Sequence, residues 1–78
     1  MEKIQQYNNA FMATLEINED TLQGLKYQDV GNWDSVGHMS LIVAIEEAFE
    51  ISLDTDDIID LSSYERGKEI LRKYNIEL

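Results

Sequence analysis

Apolar residues recur along the chain at helical intervals. Ile4, Tyr7, Phe11 and Leu15 stand three or four positions apart, with Met12 beside them. That spacing places one apolar stripe on a helix over roughly residues 2–15. A second periodic segment opens at Ser35 and runs to Phe49, with Asp34 or Ser35 as its N-cap. Leu41, Ile45 and Phe49 form one row of it, assigned to the core. Met39 and Val43 form another, rotated away from the first and flanked by Glu46 and Glu47. If both rows were core, the helix would be buried on two sides; if only the first is, Met39 and Val43 make an exposed patch of the kind that marks a binding surface. Proline is absent and β-branched alternation scarce, so strands find little support.

Residues 16–33 combine Asn18, Gly24, Gly31 and Asn32 with isolated apolar side chains, namely Ile17, Leu22, Leu25, Tyr27 and Val30. This reads as a long loop tucked onto the core, and a loop of that length in a small domain is usually functional or structurally pinned. Beyond Phe49, Ile51-Ser52-Leu53 leads into Asp54–Leu61, whose acids are front-loaded as the start of a short helix prefers. Ser62 and Glu65 have the spacing of a capping box. They predict a last helix to about Tyr74, with Ile70, Leu71 and Tyr74 inside and Arg72 and Lys73 in its final turn. The predicted architecture is all-α: one domain over 1–78, a small four-helix bundle of three longer helices and one short one.

The chain has 78 residues, enough to bury about 60% of the unfolded surface in one thin core. Sixteen acids against six bases leave a formal charge of −10. That balance argues against nucleic acid as a partner, since a phosphate-backbone binder needs a basic surface. It favours proteins with basic docking surfaces, found through electrostatic steering. Between Lys26 and Arg66 lie ten acids and no base, and Asp34, Glu46, Glu47, Asp56 and Asp57 fall on or near the segment opened by Ser35. A solvated face accounts for such charge cheaply. Unbalanced like charge nevertheless works against the compact state, so its concentration beside one serine suggests a purpose.

No cysteine is present and His38 is the single histidine, which removes disulfides, thiolate chemistry and histidine-pair metal sites. An EF-hand beginning at Asp54 fails because Ile58 falls on a ligand position and Ile59 where the turn needs glycine. The start of the chain is polar and reads as helix rather than signal peptide. No apolar run approaches the roughly 20 residues that span a bilayer. The expectation is a cytoplasmic, monomeric protein without membrane insertion.

Ser35 concentrates the remaining chemistry. It follows an acid, Asp34, at the opening of the second helix. There backbone N–H groups lack intrahelical partners and the helix dipole is positive, a favourable place to hold a phosphate. A hydrolytic serine would need a base and a group orienting that base. His38 is one turn away, but Asp34 is poorly placed to orient it and no oxyanion hole is readable, so no enzyme is expected. His38 is read as a polar residue on the exposed side of the first turn.

With these residues in place, the chain resembles the acyl carrier proteins over nearly its whole length. The family pattern of acid, serine and bulky aliphatic residue is matched by Asp34-Ser35-Val36. The helix then ends in Glu46-Glu47-Ala48-Phe49 and is followed by Ile51-Ser52-Leu53, again as in the family. The resemblance implies that Ser35 carries 4′-phosphopantetheine, attached from coenzyme A by a holo-acyl-carrier-protein synthase (a phosphopantetheinyl transferase). It further implies that Asp34, Val36, Met39, Val43, Glu46, Glu47 and Asp56 face partner enzymes that activate or transfer acyl groups. The chain departs from the pattern in Val36, where leucine is more usual, and in Gly37 and Ser40, where carriers of fatty acid synthesis often have acids. Trp33 and Gly37-His38-Met39 resemble specialised stand-alone carriers. Fatty acid, polyketide, peptide and surface-polysaccharide pathways stay open, as do an aminoacyl or peptidyl carrier and an unmodified acidic interaction module.

Overall fold

The three longer helices of the computed structural model, which describes residues 2–78, can each be traced to a stripe of buried side chains. Helix α1 (Lys3–Leu15) buries Tyr7, Phe11 and Leu15 of the predicted stripe together with Ala10, while Ile4 and Met12 are partly buried against the core. Helix α2 (Ser35–Phe49) buries Leu41, Ile42 and Ile45 and starts at the predicted residue. Helix α3 (Thr55–Asp60) is short, and helix α4 (Tyr64–Arg72) buries Tyr64, Gly67, Ile70 and Leu71. No strand occurs among the described residues, only an isolated bridge between Lys26 and Ser63. The fold is a small all-α bundle with a Cα radius of gyration of 11.2 Å. That is close to the ~11.5 Å expected of a compact chain of this length.

α1 and α2 end by the same device. Glu16 and Glu50 adopt left-handed conformations, with φ of 56° and 54°, and donate their N–H groups to Met12 and Glu46. The next residue in each case, Ile17 or Ile51, turns back onto the core and donates to the same carbonyl. Both positions are ones that glycine usually fills.

The core extends beyond the helices into the long loop. Leu22 and Leu25 are buried, a 3-10 turn spans Glu19–Thr21, and Trp33 is completely enclosed. Trp33 packs edge-on to Phe11 and Tyr27, with ring centroids 5.5 and 6.0 Å away. Such arrangements suit the aromatic quadrupole. Backbone bonds from Tyr27 to the Ser62 carbonyl and from Tyr64 to the Leu25 carbonyl, each 2.9 Å, staple this loop to the α3–α4 connection.

That staple shifts the last helix. The Ser62 carbonyl is taken by the Tyr27 N–H, and the predicted Ser62–Glu65 capping box does not form. Ser63 is the N-cap instead, its Oγ accepting from the Arg66 N–H at 2.9 Å. α4 stops at Arg72, two residues short of the expected end, and the Tyr74 hydroxyl turns to Asp57. Phe49, expected in the core row, is only half-buried because it is the last residue of α2. Ile42, next to Leu41, is buried in its place. Gly67 is required by a close approach: a Cβ there would lie 2.0 Å from the Tyr7 hydroxyl. That hydroxyl donates to the Tyr64 carbonyl at 2.6 Å, and burial pushes its pKa up.

Candidate functional site

The turn into α2 is built by three neighbouring residues. Asp34 is extended and its Oδ1 accepts from the Gly37 N–H at 2.8 Å, so Asp34 rather than Ser35 is the N-cap. Asn32 donates its side-chain N–H to the Leu15 carbonyl at the end of α1, tying the two helix termini together. Its own backbone carbonyl rests against Gly37. The uncharged Gly37, a departure from the carrier pattern, is thus dictated by packing.

Ser35 follows as the first residue of the helix. It is exposed, and its hydroxyl makes no hydrogen bond among the described residues. Of the N–H groups that open α2, Gly37 is taken by Asp34, while those of Ser35 and Val36 have no intrahelical acceptor.

Beside Ser35 lies a pocket of about 300 Å³ between α2 and α3. Its apolar walls are Met39, Ile58, Ile59 and Leu61, joined by Tyr27 and His38. Two of its lining residues are exposed apolar side chains, Ile59 at 74% and Met39 at 51%, and Val36 at 75% and Val43 at 49% flank Met39 along α2. Val36, Met39 and Val43 form one line along α2, and Ile59 continues the patch onto α3. The sequence reading assigned Met39 and Val43 to such a surface, and there they lie. It missed Ile59, although adjacent isoleucines on a six-residue helix could have signalled it, since the two cannot both face inward.

The expected acids divide into two groups. Asp34, Glu47 and Asp56 are exposed around this surface. Glu46 is partly buried, and its Oε2 accepts from the Leu53 N–H at 2.8 Å, closing the turn after α2. Asp57, expected on the acidic face, is buried. Its two oxygens accept from Lys73 Nζ at 2.5 Å and from the Tyr74 hydroxyl at 2.6 Å. These two bonds hold the Asp57 carboxyl below the usual carboxylate range.

His38 also differs from expectation. It is half-buried, with Nδ1 3.0 Å from Trp33 Nε1 and Nε2 2.7 Å from the Ile58 carbonyl oxygen. Both ring nitrogens are engaged, so in this arrangement His38 offers no base to Ser35. Among the described residues no cluster of three or more acids and histidines is placed to hold a metal ion. No helix among the described residues is long and apolar enough to cross a membrane. Comparison of the chain with protein-family models, curated proteins and solved structures finds no match.

Proposed function

We propose that the chain is an acyl carrier protein whose Ser35 bears 4′-phosphopantetheine. In this reading a holo-synthase transfers the group from coenzyme A: Ser35 Oγ loses its proton and forms the phosphodiester, and the adenosine bisphosphate portion leaves. The group supplies the thiol that the cysteine-free chain lacks, and an acyl cargo is held on it as a thioester. The protein contributes effective concentration rather than catalysis, because a tethered cargo visits each docked partner without diffusing away.

One observation carries the reading. Ser35 presents a free, exposed hydroxyl at the opening of a capped 15-residue helix, directly beside an apolar pocket. The residues fit the group. The N–H groups of Ser35 and Val36, which lack intrahelical acceptors, would be available to a phosphodiester, the helix dipole would favour its charge, and Asp34 Oδ1 is already bonded to the Gly37 N–H. The exposed Val36, Met39, Val43 and Ile59, rimmed by Asp34, Glu47 and Asp56, suit partners with an apolar contact and a basic border.

The test is intact mass. After incubation with coenzyme A and a promiscuous phosphopantetheinyl transferase, the chain is expected to gain one phosphopantetheine, and Ser35→Ala none. Unmodified wild-type protein, or modification at Ser40, Ser62 or Ser63, would overturn the reading. An unmodified outcome would leave the same surface to an acidic interaction module without the arm.

A further inference from the structure

His38 lines the pocket beside Ser35, and two polar bonds end on its ring. Trp33 Nε1–H can only donate, and it points at His38 Nδ1, 3.0 Å away. Nδ1 must therefore present a lone pair, which leaves the proton of the neutral ring on Nε2. Nε2 faces the Ile58 carbonyl oxygen at 2.7 Å, and that oxygen can only accept. One tautomer satisfies both contacts. The imidazole plane lies within 16° of the Trp33 indole plane, so the N–H meets the Nδ1 lone pair nearly in the plane of both rings, and the imidazole meets the Tyr27 ring edge-on at 5.7 Å between centroids.

The consequence falls on α3. A six-residue helix is marginal on its own, so tertiary bonds must hold it in place. On one side Asp57 ties it to Lys73 and Tyr74 beyond the end of α4. On the other, the Ile58 carbonyl ties it to His38 on α2. Ile58 and Ile59 are the α3 wall of the pocket, so the bond from His38 governs how closely that wall approaches Ser35.

We infer that His38 is a positioning residue: through a tautomer imposed by Trp33 it holds α3 across the pocket beside Ser35 and sets how far a group attached there is enclosed. The enclosure of an attached group rests on the carrier reading of Ser35; the latch between His38 and α3 does not. Glutamine can reproduce both bonds, with Oε1 accepting from Trp33 and Nε2–H donating to Ile58. Leucine keeps apolar bulk but leaves the indole N–H and the carbonyl unpaired.

The experiment compares the full chain with His38→Leu and His38→Gln by NMR. One tryptophan and one histidine make the indole and imidazole nitrogen signals unambiguous. The wild-type ring is expected as the neutral Nε2–H tautomer. In His38→Leu the Ile58 and Leu61 amides are expected to exchange with solvent about tenfold faster, as loss of a partly buried hydrogen bond implies. Amides inside α1 should keep their rates, and His38→Gln should restore slow exchange in α3. An Nδ1–H tautomer, equal acceleration throughout the chain, or a glutamine variant as fast as leucine would overturn the latch. The tautomer is read on wild-type protein, so the test stands even where His38→Leu fails to fold. In phosphopantetheine-loaded protein the arm carries the only thiol. Its reaction with an aromatic disulfide should be several-fold faster in His38→Leu than in wild type or His38→Gln. Equal rates would overturn the effect on enclosure while leaving the latch to the exchange data. Failure of the wild-type chain to take up phosphopantetheine would overturn the carrier reading instead.

Discussion

The carbonyl of Asn32 lies so close over Gly37 that a Cβ on residue 37 would stand 1.7 Å from its oxygen. Backbone touches backbone here, between the end of the long loop and the first turn of α2. Neither side can yield without moving Asp34 and Ser35, which lie between them in the chain. Gly37→Ala is therefore expected to destabilise the fold by about 3 kcal/mol, at the upper end of typical overpacking costs, despite alanine's better helix propensity. Gly37→Asp, which would restore the acid of the carrier pattern, should be at least as damaging. Denaturant unfolding checks both. A stable Gly37→Asp protein would mean that the loop can retreat from α2.

Partner recognition should depend on Glu47 and Ile59 and not in the same way on Glu46. Glu47→Lys and Ile59→Ser change exposed side chains. They are expected to slow modification by a holo-synthase several-fold with the melting temperature unchanged. The Glu47→Lys defect should shrink as salt rises, because exposed charges are screened beyond about 8 Å at physiological ionic strength. Glu46→Gln weakens the bond that receives the Leu53 N–H and should cost about 1 kcal/mol of stability. Kinetics of modification alongside thermal melts separate the two effects.

Glu50 holds a left-handed conformation at the end of α2, with φ of 54°. A residue with a Cβ is strained there, so Glu50→Gly is expected to stabilise the protein by about 1 kcal/mol. In a domain of this size that raises the melting temperature by roughly 4–8 °C. Calorimetry of the single variant is sufficient, and a lowered melting temperature would show that the carboxylate has a partner role outweighing the strain.

Asp57 makes stability depend on acid. Hydrogen bonds from Lys73 and Tyr74 depress its folded-state pKa. A depressed carboxylate contributes stability that is present above the unfolded value, about 3.9. That contribution is lost as pH falls through the lower folded-state value. The melting temperature of the wild type should thus fall with acid below about pH 4. Asp57→Asn should melt lower at neutral pH and show a shallower acid dependence. Parallel pH profiles for the two proteins would exclude this role.

Core and surface on α2 should respond oppositely to truncation. Ile45 is completely buried, and Ile45→Ala is expected to cost about 2–5 kcal/mol, a large part of the ~5 kcal/mol a small domain holds. Half-exposed Met39 should tolerate alanine within about 0.5 kcal/mol. Its effect should appear in partner kinetics. Chemical denaturation of the pair measures the contrast.

Periodicity by itself was enough to locate α1 and the start and end of α2, because a stripe of apolar residues at helical spacing has few ways to be buried other than on a helix. The same pattern, read for what it leaves over, separated Leu41 and Ile45 from Met39 and Val43. Acid, serine and helix start together marked Ser35 as the residue to examine, since capping and the helix dipole act over neighbouring residues only. What tertiary structure decided lies where distant segments meet. Ser63 caps α4 because Tyr27, far earlier in the chain, claims the Ser62 carbonyl. Asp57 turns inward because Lys73 and Tyr74 reach it from beyond α4, and Glu46 turns to the Leu53 N–H in the connection after α2. His38 is drawn from the surface by Trp33 and Ile58, one hydrogen-bond partner on each side of the ring. A polar side chain's direction is set by which donor or acceptor folding brings within about 3 Å, and linear spacing carries no record of that distance.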